Sequence, residues 1–194
     1  MELYGQIMYG PHFRLYKDDN NILLQLYAYL TRNESLCTFY ALDLNKGLFL
    51  SGKPGVGKTV HMKLIRQFLS FKTQFKLKTC HSLALEFMNN GSETLLYYGR
   101  NFVDFIDPNT IGQSYCFDDL GSEDGVKHYG TQTNVMGQVI LMRYNLFQNS
   151  RVKTHFTSNL TASQIEQHYG DRVRGRLREM CNWIEYKNSA DKRK

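Results

Sequence analysis

The stretch Gly52-Lys53-Pro54-Gly55-Val56-Gly57-Lys58-Thr59 decides the fold of this chain. It fits the pattern G-x-x-x-x-G-K-[ST], a loop whose backbone N–H groups surround the phosphates of a nucleotide. A short apolar run of the buried-strand type, Leu48-Phe49-Leu50, precedes the loop. After the loop, apolar residues recur at helical spacing, namely Val60, Leu64, Ile65, Phe68 and Leu69. Strand, glycine loop and helix therefore follow in the order that phosphate binding needs, which favours a nucleotide site over an incidental Gly/Pro turn.

The loop predicts a nucleoside triphosphate site, with ATP and Mg²⁺ as the expected ligands. Lys58 is expected to reach the β- and γ-phosphates, and the Thr59 hydroxyl to bind Mg²⁺. The backbone of the loop and the start of the helix are expected to supply the other contacts. The predicted nucleotide-binding residues are therefore Gly52, Lys53, Pro54, Gly55, Val56, Gly57, Lys58, Thr59 and Val60.

At 194 residues, 42% of them hydrophobic and 22% charged, the chain has the size and composition of one globular domain. No apolar run approaches the roughly 20 residues that a membrane-spanning helix needs, and the N-terminus lacks the layout of a signal peptide. The four cysteines (Cys37, Cys80, Cys116 and Cys181) form no C-x-x-C pair, which argues against zinc and for a reducing compartment. The expected location is the cytoplasm, without membrane contact.

The positive charge is concentrated towards the end of the chain. The net charge is +6, and residues 170–194 hold eight Lys/Arg and four Asp/Glu. Such a basic end suits a polyanion such as nucleic acid, a neighbouring subunit's phosphates, or simply a solvated surface. Charge alone leaves these interpretations open.

Apolar segments of strand type alternate with helical patterns along the chain. Strands are predicted at residues 48–50, 75–78, 114–117, 154–157 and 181–186, and helices at about 20–30, 59–70, 81–88, 95–107, 133–147, 165–169 and 172–180. This alternation favours an α/β fold, a three-layer sandwich with a parallel sheet and helices on both faces. We expect residues 1–45 to form a short N-terminal segment with one helix packed on the core. Residues 46–187 are expected to form the ATPase core, and residues 188–194 a basic tail.

Two adjacent carboxylates, Asp118 and Asp119, follow the apolar strand residues 114–117 directly. As purely structural residues they are hard to explain, because like charges repel and desolvation is costly. A turn cap would account for only one of them. Asp118 is therefore predicted to hold Mg²⁺ together with Thr59, and Asp119 to polarise the attacking water.

Asn159 ends a further strand segment, Phe156-Thr157-Ser158-Asn159. If that strand lies beside the strand of the phosphate loop, the amide would stand near the γ-phosphate and orient water. An asparagine in this position by itself is more often a turn residue. Asn159 is a candidate site residue because it follows the loop 52–59 and the Asp118-Asp119 pair in the sequence.

Arginines occupy every second position from 172 to 178. On a helix, Arg172 and Arg176 share one stripe, and Arg174 and Arg178 share another. One stripe is expected to reach a neighbouring subunit's γ-phosphate as an arginine finger, while the other is free for nucleic acid or solvent.

With these elements in this order, the chain resembles the DnaC/IstB branch of AAA+ ATPases, the helicase loaders and transposition ATPases. The resemblance covers roughly residues 45–186 and is carried by the loop 52–59, Phe117-Asp118-Asp119-Leu120-Gly121 with Glu123, Thr157-Ser158-Asn159-Leu160, and Gly170-Asp171-Arg172-Val173 with Arg176. It implies an AAA+ core without a C-terminal helical lid and with Asn159 as sensor 1. It also implies an arginine finger acting in trans, at Arg172 or Arg176. Most AAA+ proteins have Glu where Asp119 stands, so water activation is assigned to Asp119 or to Glu123.

The resemblance further implies an ATPase of DNA replication (helicase loading) or of transposition. Such a protein would form an ATP-dependent homo-oligomeric ring or spiral on single- or double-stranded DNA, without strong sequence specificity, and would act with a replicative helicase or a transposase. Two other interpretations remain open. A small-molecule P-loop kinase fits the loop and the arginines but fits Asp118-Asp119 less well. A slow nucleotide-gated DNA-binding switch is favoured by the short side chain of Asp119.

Overall fold

Five parallel strands form the central sheet. The computed structural model describes residues 1–70, 73–100, 112–123, 127–128, 131–132, 134–187 and 190–192. Its strands are β1 (Gly47–Gly52), β2 (Lys76–Thr79), β3 (Tyr115–Leu120), β4 (Lys127–His128), β5 (Thr131–Gln132), β6 (Thr154–Ser158) and β7 (Cys181–Tyr186). The sheet has the order β2-β3-β6-β1-β7, and β4 and β5 form a separate antiparallel pair. The predicted α/β class with a parallel sheet is confirmed.

Helices cover both faces of this sheet. They are α1 (Glu2–Tyr9), α2 (Asn20–Thr31), α3 (Glu34–Phe39), α4 (Lys58–Phe68), α5 (Cys80–Asn90), α6 (Ser92–Gly99), α7 (Val135–Ser150), α8 (Ala162–Tyr169) and α9 (Asp171–Met180). In β1, Leu48 and Leu50 belong to a core with α2 and α4, whereas Phe49 belongs to a second core with α5, α7, α8 and α9. Because successive side chains of a strand point to opposite faces, one apolar run supports both layers.

A row of aromatic rings crosses the sheet and aligns its strands. Phe117, Phe156, Phe49 and Trp183 occupy paired positions on β3, β6, β1 and β7. The centroid distances between successive rings are 5.8, 6.0 and 3.9 Å. Such side-chain pairs stabilise one register of neighbouring strands. The carboxyl ends of β1, β3 and β6 are thereby brought to the same edge of the sheet, where the loop 52–59 begins.

The N-terminal segment contains more helix than the sequence predicts. One helix is predicted before residue 46, whereas the structure has α1, α2 and α3 there, with a 3₁₀ turn at Lys17–Asp19. Gly5, which reads as a helix breaker, lies inside α1, where a Cβ would meet the Phe13 ring at 2.1 Å. The glycine therefore makes room for Phe13. The start of α3 is capped by Asn33, whose Oδ1 accepts a hydrogen bond from the backbone N–H of Leu36.

Two predicted segments reach beyond the described residues. Of the helix predicted at 95–107, residues 101–107 lie outside them, and the structure has α6 ending at Gly99. The tail at 188–194 is described only at residues 190–192.

In the described ranges, no helix is both long and apolar enough to cross a bilayer. The same ranges hold no group of three or more His, Cys, Asp and Glu side chains suited to a metal ion. All four cysteines are buried and free.

Candidate nucleotide-binding site

The loop 52–59 turns from β1 into α4 through backbone conformations that favour glycine. Gly55 and Gly57 have φ angles of 82° and 96°, and Gly57 immediately precedes α4. A side chain at either position would be strained. The first N–H groups of a helix have no partner within it, so the start of α4 offers donors and a partial positive charge to an anion.

Lys58 is the first residue of α4, and its ammonium group lies over the loop. Its Nζ donates to the carbonyl oxygens of Gly52 at 2.7 Å and Lys53 at 2.9 Å, and to Oδ1 of Asn159 at 2.7 Å. The side chain is largely buried. The lysine predicted to bind phosphate is therefore in direct contact with the predicted sensor asparagine.

The two predicted magnesium ligands, Thr59 and Asp118, are hydrogen-bonded to each other. Oγ1 of Thr59 donates to Oδ1 of Asp118 at 2.8 Å, and the Asp118 side chain is buried. Mg²⁺ prefers oxygen ligands and is usually held by one or two protein oxygens together with phosphates and water. This hydroxyl–carboxylate pair therefore fits a nucleotide-bound Mg²⁺.

Asp119 adopts an unusual backbone conformation beside Asp118. Its φ angle is 60°, in the left-handed region that few non-glycine residues enter. Burial, and then the charge of Asp118, raise the pKa of the Asp119 carboxyl group, while the Lys58 ammonium acts in the opposite direction. Oδ1 of Asp119 accepts a hydrogen bond from Nδ2 of Asn159 at 2.7 Å. A carboxylate with a raised pKa at a cavity has the properties of a general base.

These side chains surround a cavity of 320 Å³ at the carboxyl ends of β1, β3 and β6. Its walls are Pro54, Gly55, Gly57, Lys58, Thr59, Val60, Asp118, Asp119, Thr157 and Asn159. Three predicted nucleotide-binding residues, Gly52, Lys53 and Val56, do not line it. The Val56 side chain is buried in the core on the α2 side of the sheet, so only its backbone is available to a ligand.

Glu123, the alternative for water activation, lies elsewhere. Its Oε2 accepts a hydrogen bond from the backbone N–H of Gly121 at 2.9 Å, and its Oε1 accepts one from the Tyr169 hydroxyl. The carboxylate is buried and does not line the cavity. Burial, and then Glu123, raise the pKa of the Tyr169 phenol. Glu123 therefore makes structural contacts, because its carboxylate links Gly121, just after β3, to Tyr169 of α8.

The two candidate finger arginines differ in their surroundings, and neither lines the cavity. Arg172 is exposed, and within the described part of the chain its guanidinium has no hydrogen bond or ion pair. Arg176 donates to the Tyr144 hydroxyl at 3.0 Å and to Oε1 of Glu179 at 2.9 Å, with its guanidinium 4.2 Å from the Tyr144 ring centroid. Arg176 therefore joins α9 to α7, whereas Arg172 is free to reach another molecule.

A second cavity, of 280 Å³, adjoins the loop and was not predicted from the sequence. It shares Gly55, Gly57 and Val60 with the first cavity. Its other walls are Tyr9, His12, Phe13, Arg14, Tyr16, Asp19, His61 and Lys192. The one signal in the sequence is the aromatic-rich character of the first twenty residues. Aromatic rings beside a phosphate-binding loop can stack on a nucleobase.

Lys192 ties the end of the chain to this cavity. Its backbone N–H donates to the carbonyl oxygen of Gly55 at 3.0 Å, and its Nζ donates to that of Val56 at 2.7 Å. The ammonium also forms an ion pair with the buried carboxylate of Asp19. Burial, and then the charge of Lys192, lower the pKa of His61 to about 4, so His61 is neutral near pH 7.

Comparisons with solved structures place this geometry in a known fold, although no family model and no curated protein matches the sequence. The DnaC helicase loader superposes with a TM-score of 0.59 at 18% identity, over 90% of this chain and 93% of that one. A putative primosome component from Streptococcus pyogenes superposes with a TM-score of 0.60 at 17% identity, over 92% of this chain and 84% of that one. The replication initiator DnaA bound to AMPPCP and single-stranded DNA superposes with a TM-score of 0.55 at 14% identity, over 89% of this chain and 47% of that one. Likeness at such identities concerns the fold, and it shows that the chain has the same fold as the DnaC and DnaA structures.

Proposed function

We propose that this chain is an ATPase of DNA replication, with residues 46–187 as its core, that acts in helicase loading. The observation that carries the proposal is the continuous contact from Lys58 through Asn159 to Asp119, beside the Thr59–Asp118 pair. The comparison proteins are described as a helicase loader, a primosome component and a replication initiator. Their descriptions support replication over the transposition role that the sequence also allows.

In the proposed reaction, Lys58 and the N–H groups at the start of α4 bind the β- and γ-phosphates of ATP. Thr59 and Asp118 hold Mg²⁺, which when bound neutralises charge on the phosphates. Asp119 accepts the proton of the attacking water, and Asn159 keeps its carboxylate next to Lys58. The aromatic rings of Tyr9, Phe13 and Tyr16 in the second cavity receive the nucleoside.

The proposed enzyme is complete only as a homo-oligomer. The cavity has Lys58 as its one lining cation among the described residues, and the exposed Arg172 lies outside it. An arginine supplied by a neighbouring subunit stabilises the charge of the transition state and is worth about 10³–10⁵ in rate. Arg172 is proposed to be that residue.

DNA is the proposed polyanionic partner. The basic character of residues 170–194 supports contacts to phosphates, and the chain has no base-reading motif. Affinity for single-stranded DNA should therefore fall steeply with salt and depend little on sequence. The DnaA comparison protein, which is described as bound to single-stranded DNA, has the same fold and supports this proposal.

The experiment that tests the proposal measures ATP turnover per subunit against protein concentration, with and without single-stranded DNA. We expect a steep rise with concentration that DNA enhances. Lys58→Ala should abolish it, and Lys53→Ala, which removes a side chain outside the cavity, should not. A flat rate indifferent to DNA would contradict the proposal and favour a monomeric kinase, which transfer of phosphate to a nucleoside monophosphate would reveal.

The slow switch remains a second candidate because the Asp119 carboxylate is tied to Asn159 and has a raised pKa. In that case ATP binding alone would set the oligomeric state and the affinity for DNA. Asp119→Asn should then preserve ATP-dependent DNA binding and helicase loading. Retained DNA binding with loss of loading would instead show that hydrolysis is required.

A further inference from the structure

The two carboxylates of the site lie on an irregularity of the sheet. Between β3 and β6 the register runs from Phe117 paired with Phe156 directly to Leu120 paired with Ser158. Two residues of β3, Asp118 and Asp119, therefore lie opposite a single residue of β6, Thr157. This is the arrangement of a β-bulge, which interrupts the ladder and redirects side chains.

The hydroxyl of Thr157 contacts both bulge residues. Its Oγ1 accepts a hydrogen bond from the backbone N–H of Asp119 at 2.9 Å and donates one to Oδ1 of Asp118 at 2.6 Å. Thr157 itself is 1% exposed. A hydroxyl has one hydrogen to donate and lone pairs to accept, so a single group serves both acids.

The neighbouring Ser158 closes the bulge at its other end. Its Oγ donates to the carbonyl oxygen of Leu120 at 2.6 Å and accepts from the backbone N–H of Leu160 at 3.0 Å. Side-chain hydroxyls of β6 thus replace the backbone hydrogen bonds that the bulge removes. Of these two β6 hydroxyls, that of Thr157 contacts the Asp118 carboxylate, which is predicted to hold Mg²⁺.

We propose that Thr157 is a positioning residue of the site, and this inference rests on the proposed function for its effect on Mg²⁺. Its hydroxyl holds the Asp118 carboxylate against Thr59 and keeps the Asp119 backbone in its left-handed conformation. Without the hydroxyl, the partly buried N–H of Asp119 loses this partner, and the backbone is free to relax towards the extended region. Both carboxylates would then move away from the cavity.

The test compares Thr157→Val, which keeps the shape and removes the hydroxyl, with Thr157→Ser, which restores the hydroxyl. Thr154→Val is the matched control, because Thr154 is also buried on β6 and bonded through Oγ1, to Arg143, but lies at the opposite end of the strand. The Mg²⁺ concentration for half-maximal nucleotide binding and turnover is measured. Binding of a fluorescent ATP analogue in EDTA is measured separately.

Thr157→Val should raise the Mg²⁺ requirement by about tenfold, as expected for loss of one hydrogen bond to a charged group, and should change binding in EDTA by a smaller factor. Thr157→Ser should restore the Mg²⁺ requirement of the natural chain. Thr154→Val should lower the melting temperature without changing that requirement. An unchanged requirement in Thr157→Val, or an equal change in Thr154→Val, would overturn the inference.

A readout independent of nucleotide separates this inference from the proposed function. Hydrogen exchange of the Asp119 amide, followed by NMR on the nucleotide-free chain, should be at least about tenfold faster in Thr157→Val than in Thr154→Val. If exchange is unchanged, Thr157 does not hold the Asp119 backbone. If the exchange differs as expected but the natural chain shows no ATP turnover, the proposed function is wrong and the positioning contact still stands.

Discussion

Asn159 joins Lys58, at the end of the glycine-rich loop 52–59, to Asp119 at the end of β3. Its Oδ1 accepts from the Lys58 ammonium at 2.7 Å, and its Nδ2 donates to the Asp119 carboxylate at 2.7 Å. An ammonium only donates and a carboxylate only accepts, so these partners determine the orientation of the amide. Under the proposed function, this side chain would respond both to phosphate bound at Lys58 and to the protonation state of Asp119.

Replacement of Asn159 should therefore affect turnover more than binding. Asn159→Ala is expected to lower ATP turnover by about 10²-fold, because the Asp119 carboxylate is no longer oriented, with little change in ATP affinity. Single-turnover kinetics and titration with a fluorescent nucleotide measure the two effects. Gln167→Ala, which changes an exposed residue of α8 outside the cavity, is the control. A loss of affinity as large as the loss of turnover would contradict this role.

Asp119→Asn should stabilise the folded chain near neutral pH while it removes the proposed base. Because the pKa of Asp119 is raised in the folded chain, its ionised form costs stability above that pKa, and this cost disappears as pH falls below the unfolded value. Asparagine also tolerates the left-handed φ of 60° well. We expect the melting temperature at pH 7 to rise. The gain should shrink between pH 7 and pH 4, and a gain that grows on acidification would contradict the assigned direction.

Arg172 and Arg176 should separate into a catalytic and a structural residue. Arg172→Ala should lower turnover at high protein concentration by at least about 10²-fold without loss of stability, because its guanidinium has no partner in the described part of its own chain. Arg176→Ala should destabilise the chain, because it removes the contact of α9 to Tyr144 on α7 and the ion pair with Glu179 within α9. Thermal unfolding and concentration-dependent turnover distinguish the two, with Arg178→Ala as the exposed control. Mixing Arg172→Ala with Lys58→Ala subunits should restore some activity if the finger acts in trans.

Glu123 should behave as a structural residue and not as the base. Glu123→Gln is expected to reduce the free energy of unfolding by about 1–3 kcal/mol, since it perturbs buried hydrogen bonds to Gly121 and Tyr169. Turnover of the folded variant should stay within about threefold of the natural chain. Tyr169→Phe, which removes the same contact from the other side, should give a similar loss of stability. A collapse of turnover in stable Glu123→Gln would instead assign water activation to Glu123.

The ion pair of Lys192 with Asp19 should couple the end of the chain to the loop. In a double-mutant cycle with Lys192→Met and Asp19→Asn, we expect a coupling energy of about 1–2 kcal/mol, because the carboxylate is buried. Urea unfolding of the four variants measures it. A coupling energy near zero would mean that the two side chains do not interact in solution.

The features that depend on local pattern could be predicted from the sequence. Three such features are recognisable from residues that are close together in the sequence. They are the loop 52–59, the acid pair at the end of an apolar strand, and the alternation of strands and helices. They led to the prediction of an α/β fold, which the parallel sheet and the likeness to DnaC and DnaA confirm, and of a phosphate-binding loop, which stays a prediction. The number of N-terminal helices was underestimated. Gly5 is accommodated in α1 because the Phe13 ring packs where a side chain would stand, and no local sequence pattern reveals this tertiary contact.

The sequence by itself determined the glycine-rich turn between a strand and a helix and the class of the fold, because spacing and hydrophobic period act within one segment. Only the tertiary structure decided that β6 lies between β1 and β3, which brings Asn159 to Lys58 across 101 residues. It also decided that Glu123 and Arg176 are engaged in structural contacts, and that Thr157 faces a bulge. These outcomes depend on strand order and register, which are set by packing between side chains far apart in the sequence.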